Sequence, residues 1–390
     1  MQRAYRYRFY PTAEQESLLR RSLGCVRLVY NKALAARTQG WYERQERISY
    51  AQTSTMLTEW KRQEELHFLN EVSCVPLQQG LRHLQKAFAN FFAGRANYPR
   101  FKKKRNGGSA EFTKSAFKWR DGKLYLAKCS EPLPIRWSRQ LSVAPSTVTV
   151  TLSPSGKWHV SLLVDEHIEP LPESPRTVGI DLGITSLVTL STGEKVANPR
   201  GFEAKYRKLR RAQKALARKQ KGSNNRDKAR LKVARVYESI SNARQDFLHK
   251  LTTRLVRENQ AISIEDLNVA GMVKNRKLAR AISDASWGEL VRQLTYKCEW
   301  YGRELVKIDR WFPSSKRCSR CGHVVEKLPL QIREWECPEC GANHDRDINA
   351  AVNVLAAGLA ASVCGLGVRP DSHEVKGQLG KARKRKKQKT

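Results

Sequence analysis

Three carboxylates occupy positions that are typical of a metal-dependent phosphodiester-cleaving site. Asp181 follows the apolar run 178–180, and Glu265 follows a second apolar run, 262–264. Asp347 stands just inside a predicted helix. Because strand ends and helix starts can meet at one edge of a sheet, we expect these side chains to converge and to bind Mg²⁺. Two such ions, about 3.5–4 Å apart, stabilise the attacking and leaving oxygens in phosphodiester cleavage.

A second acid in the same turn is an alternative ligand. Asp345 lies two residues before Asp347, with Arg346 between them, so the two carboxylates face differently. We place the primary ligand at Asp347. A single aspartate at a strand end is more often a cap or turn residue, and the ordered set of three is what favours a metal site.

Four cysteines precede Asp347 as two C-x₂-C pairs. Cys318/Cys321 and Cys337/Cys340 are separated by fifteen residues. This spacing is typical of a tetrahedral zinc site, and a redox dithiol is the alternative. Four thiolates leave no open coordination position, so we expect one structural Zn²⁺ that fixes the segment carrying Asp347.

The charge of the chain indicates a polyanionic partner. Its 390 residues include 73 Lys and Arg against 37 Asp and Glu, a formal net charge of +36. Nucleic acid is the commonest partner of such a surplus, and a membrane surface is the alternative. The sequence contains no run of 18 apolar residues and no apolar signal core near its start, so we expect a soluble cytoplasmic protein.

The predicted elements fall into two parts separated by the proline-rich linker 170–177. The first part begins with an edge strand at 2–10, continues with helices over 13–94, and is mostly β over 96–166. The helical block would then be an insertion in a small barrel. Thr12 and Gln15 form a predicted capping box at the first helix.

The second part alternates strands and helices. Between Lys205 and Arg257 it carries 18 Lys and Arg against three acids, and Gly222–Asn225 should split this stretch into a helical pair. Further strands are predicted at 261–267 and 304–309, around a helix at 284–303. After residue 366 the chain is rich in glycine and basic residues, which is typical of disorder.

Together these residues resemble the TnpB family, the RNA-guided DNA endonucleases of small bacterial transposons and relatives of the type V CRISPR effectors. The likeness covers nearly the whole chain. Besides the cysteine pairs, it is carried by YRFYPTAEQ (7–15), YN (30–31), LQQ (77–79), YPRFKKK (98–104), GIDLGI (179–184), IEDLNVAGM (264–272) and HDRDINAAVNV (344–354).

The resemblance implies a multidomain α+β fold with a specific domain order. An N-terminal wedge β-barrel would carry an inserted helical recognition block, and an RNase-H-like RuvC α/β nuclease domain would carry an inserted zinc ribbon. The corresponding ranges are 1–12 and 95–170 for the barrel, 13–94 for the recognition block, 176–312 and 343–366 for the nuclease domain, 313–342 for the ribbon, and 367–390 for a basic disordered tail.

The resemblance also implies an activity and its partners. Asp181, Glu265 and Asp347 would form the RuvC triad and hold two Mg²⁺ ions. A guide RNA from the transposon's right end would pair with the target strand of double-stranded DNA, and the protein would read a short flanking motif. We expect a monomer in the bacterial cytoplasm, associated with the nucleoid.

Two further sets of residues follow from position in the family pattern. Candidates for reading the flanking motif, because such side chains can hydrogen-bond base edges, are Tyr50, Ser54, Gln78, Gln79 and Thr113. Candidates for contacting nucleic-acid phosphates are Lys102, Lys103, Lys104, Arg105, Arg207, Arg210 and Arg211.

Two other functions remain open at this point. A nuclease-inactive, RNA-guided DNA-binding regulator of the same lineage would have lost acids of the triad. A zinc-ribbon transposase or DNA-binding protein without RNA would not need this triad beside so much basic helix.

Overall fold

A computed structural model describes residues 1–141 and 143–363 of the chain. The tail expected at 367–390 lies outside these described residues. The chain divides into two compact units: residues 1–169 with 201–245, and residues 170–200 with those from 246 onward.

A five-stranded antiparallel sheet forms the centre of the first unit. Its strands are β1 (Gln2–Phe9), β2 (Gly108–Thr113), β5 (Ile135–Arg136), β6 (Thr147–Leu152) and β7 (Trp158–Asp165), and β3 (Phe117–Arg120) pairs separately with β4 (Lys123–Leu126). The strand order is β2-β6-β7-β1-β5. The predicted strand at 2–10 and the β-rich region are therefore confirmed.

The expectation that the first strand lies at a sheet edge is wrong. Residues 2–8 of β1 pair with β7, and the end of β1 pairs with the short strand β5 on its other side. The side chains of β1 alternate, so that Tyr7 and Phe9 are buried and Arg6 is exposed. Phe9 packs near Trp158, with ring centroids 5.9 Å apart.

Three long helices belong to this unit: α1 (Ala13–Arg44), α2 (Tyr50–Arg62) and α3 (Cys74–Phe92). The predicted capping box at Thr12 and Gln15 is confirmed, and Ser49 with Gln52 forms a second one. Helix α3 packs on both α1 and β2. Short 3₁₀ helices span Glu64–Asn70, Lys104–Asn106 and Lys114–Ala116.

The predicted basic helical pair is also confirmed, as α4 (Gly201–Ala217) and α5 (Asn224–Glu258). The Arg226 side chain closes the turn between them by donating to the carbonyls of Leu216 and Lys219. Residues 201–245 of this pair belong to the first unit, where Glu238 forms a 2.6 Å ion pair with Lys157.

The second unit is built on a mixed five-stranded sheet. Its strands are β8 (Thr177–Leu182), β9 (Ser186–Leu190), β10 (Lys195–Ala197), β11 (Ala261–Glu265) and β12 (Glu304–Ile308), in the order β10-β9-β8-β11-β12. The β8–β9 and β9–β10 pairs are antiparallel, whereas β8–β11 and β11–β12 are parallel. The parallel neighbours follow from the long helical crossover between β8 and β11.

Helices and a small hairpin complete this unit. They are α6 (Val269–Met272), α7 (Ala279–Ala285), α8 (Trp287–Tyr301), α9 (Arg346–Val363) and the hairpin of β13 (Glu334–Glu336) with β14 (Asn343–Asp345). The single helix predicted at 284–303 is divided near its start. Helix α7 ends at Ala285, Ser286 adopts a left-handed conformation, and α8 begins at Trp287. Within the described ranges, no helix is long and apolar enough to cross a membrane.

Candidate active site and zinc site

Strand register places Asp181 and Glu265 side by side at one edge of the second sheet. The parallel strands β8 and β11 pair up to Ile180 with Ile264, and each acid is the next residue along its strand. Equivalent residues on adjacent parallel strands lie about 4.8 Å apart and face the same side of the sheet. The alternation of β8 leaves Asp181 half-buried between the buried residues Ile180 and Leu182.

Helix α9 brings Asp347 to the same edge by lying unusually close to the sheet. A Cβ on Gly179 of β8 would overlap the carbonyl oxygen of Ala351, and a Cβ on Gly358 would overlap the hydroxyl of Ser263 on β11. These two glycines therefore permit the close approach of helix and sheet. As a consequence, Asp347, in the first turn of α9, lies at the same edge as Asp181.

Burial and neighbouring carboxylates both disfavour ionisation of acids at this edge. Burial, together with the negative charges of Glu265 and Asp347, raises the pKa of Asp181 to about 8. Burial also raises the pKa of Glu265, although a hydrogen bond from Ser314 Oγ to Glu265 Oε1 at 2.5 Å opposes the shift. Concentrated, partly desolvated carboxylates of this kind fit a divalent cation, which would relieve their repulsion.

Arginine supplies some positive charge at this edge. Arg333 Nη1 lies 3.4 Å from Asp347 Oδ1, and the charges of Arg346 and Arg333 act against the rise in the pKa of Asp181. Among the described residues, only the four cysteines bring their ligand atoms close enough together to hold a metal ion, and the oxygens of the three carboxylates do not.

The side chain of Asp345 makes contacts different from those of Asp347. Asp345 Oδ1 accepts hydrogen bonds from the backbone N–H groups of Asp347 at 3.1 Å and Ile348 at 3.0 Å. Its other oxygen forms a 2.6 Å ion pair with Lys195. Asp345 thus caps α9, which favours Asp347 as the candidate metal ligand.

The four predicted cysteines come together at the hairpin that precedes α9. The Sγ atoms of Cys318, Cys321, Cys337 and Cys340 all lie within 4.8 Å of one another. Burial opposes ionisation of Cys318, but backbone N–H groups of the following turn outweigh it and lower the pKa of this thiol to about 5. His344 Nε2 lies 3.0 Å from Cys318 Sγ. Four sulfurs clustered this closely fit Zn²⁺.

Two buried asparagines of α9 connect the cysteine site with the acidic edge. Asn349 Nδ2 donates to the carbonyl of Arg317, and Asn353 Nδ2 donates to the carbonyls of Ser314 and Arg317. Ser314 is the residue that donates to Glu265. The sequence interpretation missed this role of the asparagines and Ser314. The available signal was two asparagines four residues apart in an otherwise apolar helix.

The five candidates for reading a DNA motif lie on three elements that pack together. Tyr50 and Ser54 lie on α2, Gln78 and Gln79 on α3, and Thr113 at the end of β2. Two residues that the sequence interpretation missed connect these elements. Arg82 Nε donates to Tyr50 Oη at 3.4 Å, and His83 lies 2.9 Å from Glu111 of β2.

The seven candidates for phosphate contacts are exposed. Lys102 to Arg105 lie in the segment before β2, and Arg207, Arg210 and Arg211 lie on α4. Another face of α4 carries the buried Leu209, which packs against α5.

Three family models match the chain. Residues 159–276 match OrfB_IS605, described as a probable transposase, and residues 287–354 match a Cas12f1-like TNB domain. Residues 1–46 match a helix-turn-helix domain of the OrfB_IS605 family, although here they form strand β1 and the continuous helix α1. The first two matches contain all three acids and all four cysteines.

Relatives that match along almost their whole length support the same family assignment. A putative RNA-guided DNA endonuclease from Streptomyces pristinaespiralis is 63% identical over 95% of this chain and 92% of its own length. The putative RNA-guided DNA endonuclease InsQ of Escherichia coli K12 is 34% identical over 93% of this chain and 94% of its own. Cas12f1, solved with guide RNA and target DNA, shares the fold with a TM-score of 0.57 at 13% identity, covering 91% and 98% of the two chains. The chain therefore has a Cas12-like multidomain α+β fold and belongs to the OrfB_IS605/TnpB family.

Proposed function

We propose that this chain is an RNA-guided DNA endonuclease that cleaves double-stranded DNA next to a short flanking motif. The observation that carries this proposal is the convergence of Asp181, Glu265 and Asp347 at one sheet edge, where burial, together with the charges of the other two acids, raises the pKa of Asp181 to about 8. Relatives named as putative RNA-guided DNA endonucleases match along almost the whole chain.

The domain assignment is part of the proposal. The sheet order β10-β9-β8-β11-β12, with three antiparallel strands followed by two parallel ones, supports an RNase-H-like RuvC domain over 176–312 and 343–366, although residues 201–245 of that range belong to the first compact unit. The cysteine hairpin supports a zinc ribbon over 313–342. The antiparallel sheet and its helices support a wedge domain over 1–12 and 95–170, with a recognition insertion over 13–94.

Asp181, Glu265 and Asp347 would hold two Mg²⁺ ions. When bound, these ions would stabilise the attacking and leaving oxygens of the phosphodiester. The chain's own residues would prepare the site: Ser314 orients the Glu265 carboxylate, and Asp345 fixes the first turn of α9. The cysteines would hold one structural Zn²⁺ with no open position for substrate.

A guide RNA from the transposon's right end would supply the sequence specificity through base pairing. The net charge of +36 supports binding of RNA and DNA backbones. The clustered positions of Tyr50, Ser54, Gln78, Gln79 and Thr113 support a shared role in reading the flanking motif.

The decisive experiment separates cleavage from binding. The chain should be purified with its co-purifying RNA, and that RNA sequenced and used in a plasmid-cleavage assay with randomised flanks. We expect Asp181→Ala to abolish cleavage and to keep RNA-dependent DNA binding. Cleavage by RNA-free protein would overturn the guide hypothesis, and cleavage by Asp181→Ala would overturn the assignment of the site. An inactive regulator is disfavoured because all three acids are present and converge.

A further inference from the structure

An open cavity of the first unit combines two of the lysines named above with two arginines that the sequence interpretation did not single out. Its volume is about 410 Å³, and its lining includes Arg6 of β1, Arg27 of α1, and Lys102 and Lys103 of the segment before β2. Among the described residues, no carboxylate forms an ion pair with any of these four cations. Four unpaired cations around one cavity repel one another unless an anion lies between them.

Lys102 is held in this cavity by two neighbouring residues of α1. The side chain of Asn31 clamps its backbone: Asn31 Nδ2 donates to the Lys102 carbonyl at 3.0 Å, and the Lys102 N–H donates to Asn31 Oδ1 at 2.8 Å. The Lys102 ammonium lies 4.1 Å from the centroid of the ring of the buried residue Tyr30. Both the backbone and the charged end of Lys102 are therefore fixed before any ligand arrives.

The Lys102 ammonium has lost part of its hydration. Although the residue as a whole is exposed, partial burial lowers the pKa of this lysine. A cation–π contact replaces only part of the lost hydration. A phosphate oxygen entering the cavity would satisfy the remaining donors with a charge-assisted hydrogen bond.

Backbone atoms of Gly107 and Leu152 form another part of the lining. Gly107 has a φ of +78°, and a Cβ there would overlap the carbonyl oxygen of Leu152. The chain turns sharply at this point into β2, so that the lysine segment lies beside the β6–β7 turn. The cavity is thus lined by β1, α1, the segment before β2 and the start of the β6–β7 turn.

We infer that the cavity lined by Arg6, Arg27, Lys102 and Lys103 is a preorganised site for a phosphodiester group of a nucleic-acid backbone, with Asn31 and Tyr30 as its positioning residues. The inference deepens the proposed function, since it assigns a defined phosphate contact to this nucleic-acid-binding chain. RNA and DNA backbones offer the same group, so the experiment has an arm for each.

The test measures the salt dependence of binding, which reports the number of phosphates contacted. Affinities of the full chain for a 20-nucleotide single-stranded RNA and for a 20-base-pair DNA duplex are measured across a range of NaCl concentrations. For Lys102→Met we expect about tenfold weaker binding to at least one probe. The slope of log affinity against log salt should fall by about 0.7 for RNA or about 0.9 for the duplex. The probe that responds identifies the backbone bound.

The matched control is Lys86→Met, which removes an exposed lysine of α3 with the same change in net charge. Asn31→Ala keeps the charge but releases the clamp, and we expect it to weaken binding to the same probe. In the Lys102→Met background Asn31→Ala should add no further loss, because Asn31 acts through Lys102.

Equal responses of Lys102→Met and Lys86→Met would overturn the inference, as would independent, additive effects of Asn31→Ala and Lys102→Met. These binding measurements do not require cleavage. A chain that fails to cut DNA but shows the expected slopes would contradict the proposed function and leave the phosphate site standing.

Discussion

At the scale of single residues, the two aspartates at the start of α9 have divided roles. Asp345 accepts two backbone hydrogen bonds and pairs with Lys195, whereas the charge of Asp347 acts on Asp181. The oxygens of Asp345 are thus already occupied by the protein. Among the described residues, the carboxylate of Asp347 has one ion-pair partner, Arg333, at 3.4 Å.

This division predicts different effects of the same chemical change. Asp347→Asn should reduce cleavage to background, because it removes a negative charge from the site that would hold the divalent cations. Asp345→Asn should keep cleavage within about tenfold of the parent, since asparagine is an equally good helix cap and the exposed ion pair with Lys195 contributes only about 0–1 kcal/mol. Single-turnover cleavage with the native guide measures both, and the reverse order of effects would contradict the assignment.

At the scale of elements, the position of α9 depends on a small residue in β8. Gly179 lies where a side chain would meet the backbone of Ala351 and Leu355. The neighbouring strand shows the same arrangement, with Ser263 against Gly358. Helix and sheet therefore approach at backbone distance, and Asp347 can reach Asp181.

Gly179→Ala should consequently destabilise the second unit by about 1–3 kcal/mol, the usual effect of overpacking. It should also lower cleavage by about a hundredfold, because a displacement of α9 by about 1 Å misplaces Asp347. The control is Gly288→Ala in α8, where a Cβ meets nothing within 4 Å, and which we expect to stabilise by about 0.4–1 kcal/mol. Urea denaturation measures the stability of both variants, and a cleavage assay measures their activity. Equal effects of the two substitutions would refute the packing argument.

The cysteine hairpin is the second element with a testable requirement. We expect about one zinc ion per chain by elemental analysis. Cys337→Ser should lose that zinc and lower the unfolding midpoint of the second unit, since metal binding at such sites contributes directly to folding. Cys74→Ser, which changes an exposed cysteine of the first unit, should keep the zinc. Full zinc content in Cys337→Ser would show that the four sulfurs do not act together.

At the scale of the whole molecule, a net charge of +36 opposes the compact state. The described ion pairs are mostly exposed, and exposed pairs contribute little. A bound polyanion would remove this repulsion, so stability and nucleic-acid binding should be coupled.

The coupling has a measurable sign. Raising NaCl from 0.1 to 1 M shortens the screening length from about 10 to about 3 Å, so the melting temperature of the nucleic-acid-free chain should rise. Each 1 kcal/mol of relieved repulsion corresponds to about 2–4 °C for a unit of this size. Adding duplex DNA at 0.1 M NaCl should raise the melting temperature as well, and 1 M NaCl should abolish that increment. A melting temperature that falls with NaCl alone would contradict the argument.

The sequence by itself determined the features that reside in local patterns. Apolar runs before Asp181 and Glu265 predicted β8 and β11, capping residues predicted the start of α1, and the C-x₂-C spacing predicted which four sulfurs meet. Composition alone indicated a polyanionic partner. Each of these depends on residues close in the chain, or on a sum over all of them.

The tertiary structure alone decided what depends on distant segments meeting. It placed β1 inside its sheet, assigned Asp345 to a helix cap, and joined α9 through Asn353 and Ser314 to Glu265. It also showed that Asn31 clamps Lys102, 71 residues further along the chain. No local periodicity encodes such contacts, because they arise only after strand register and helix packing have been fixed.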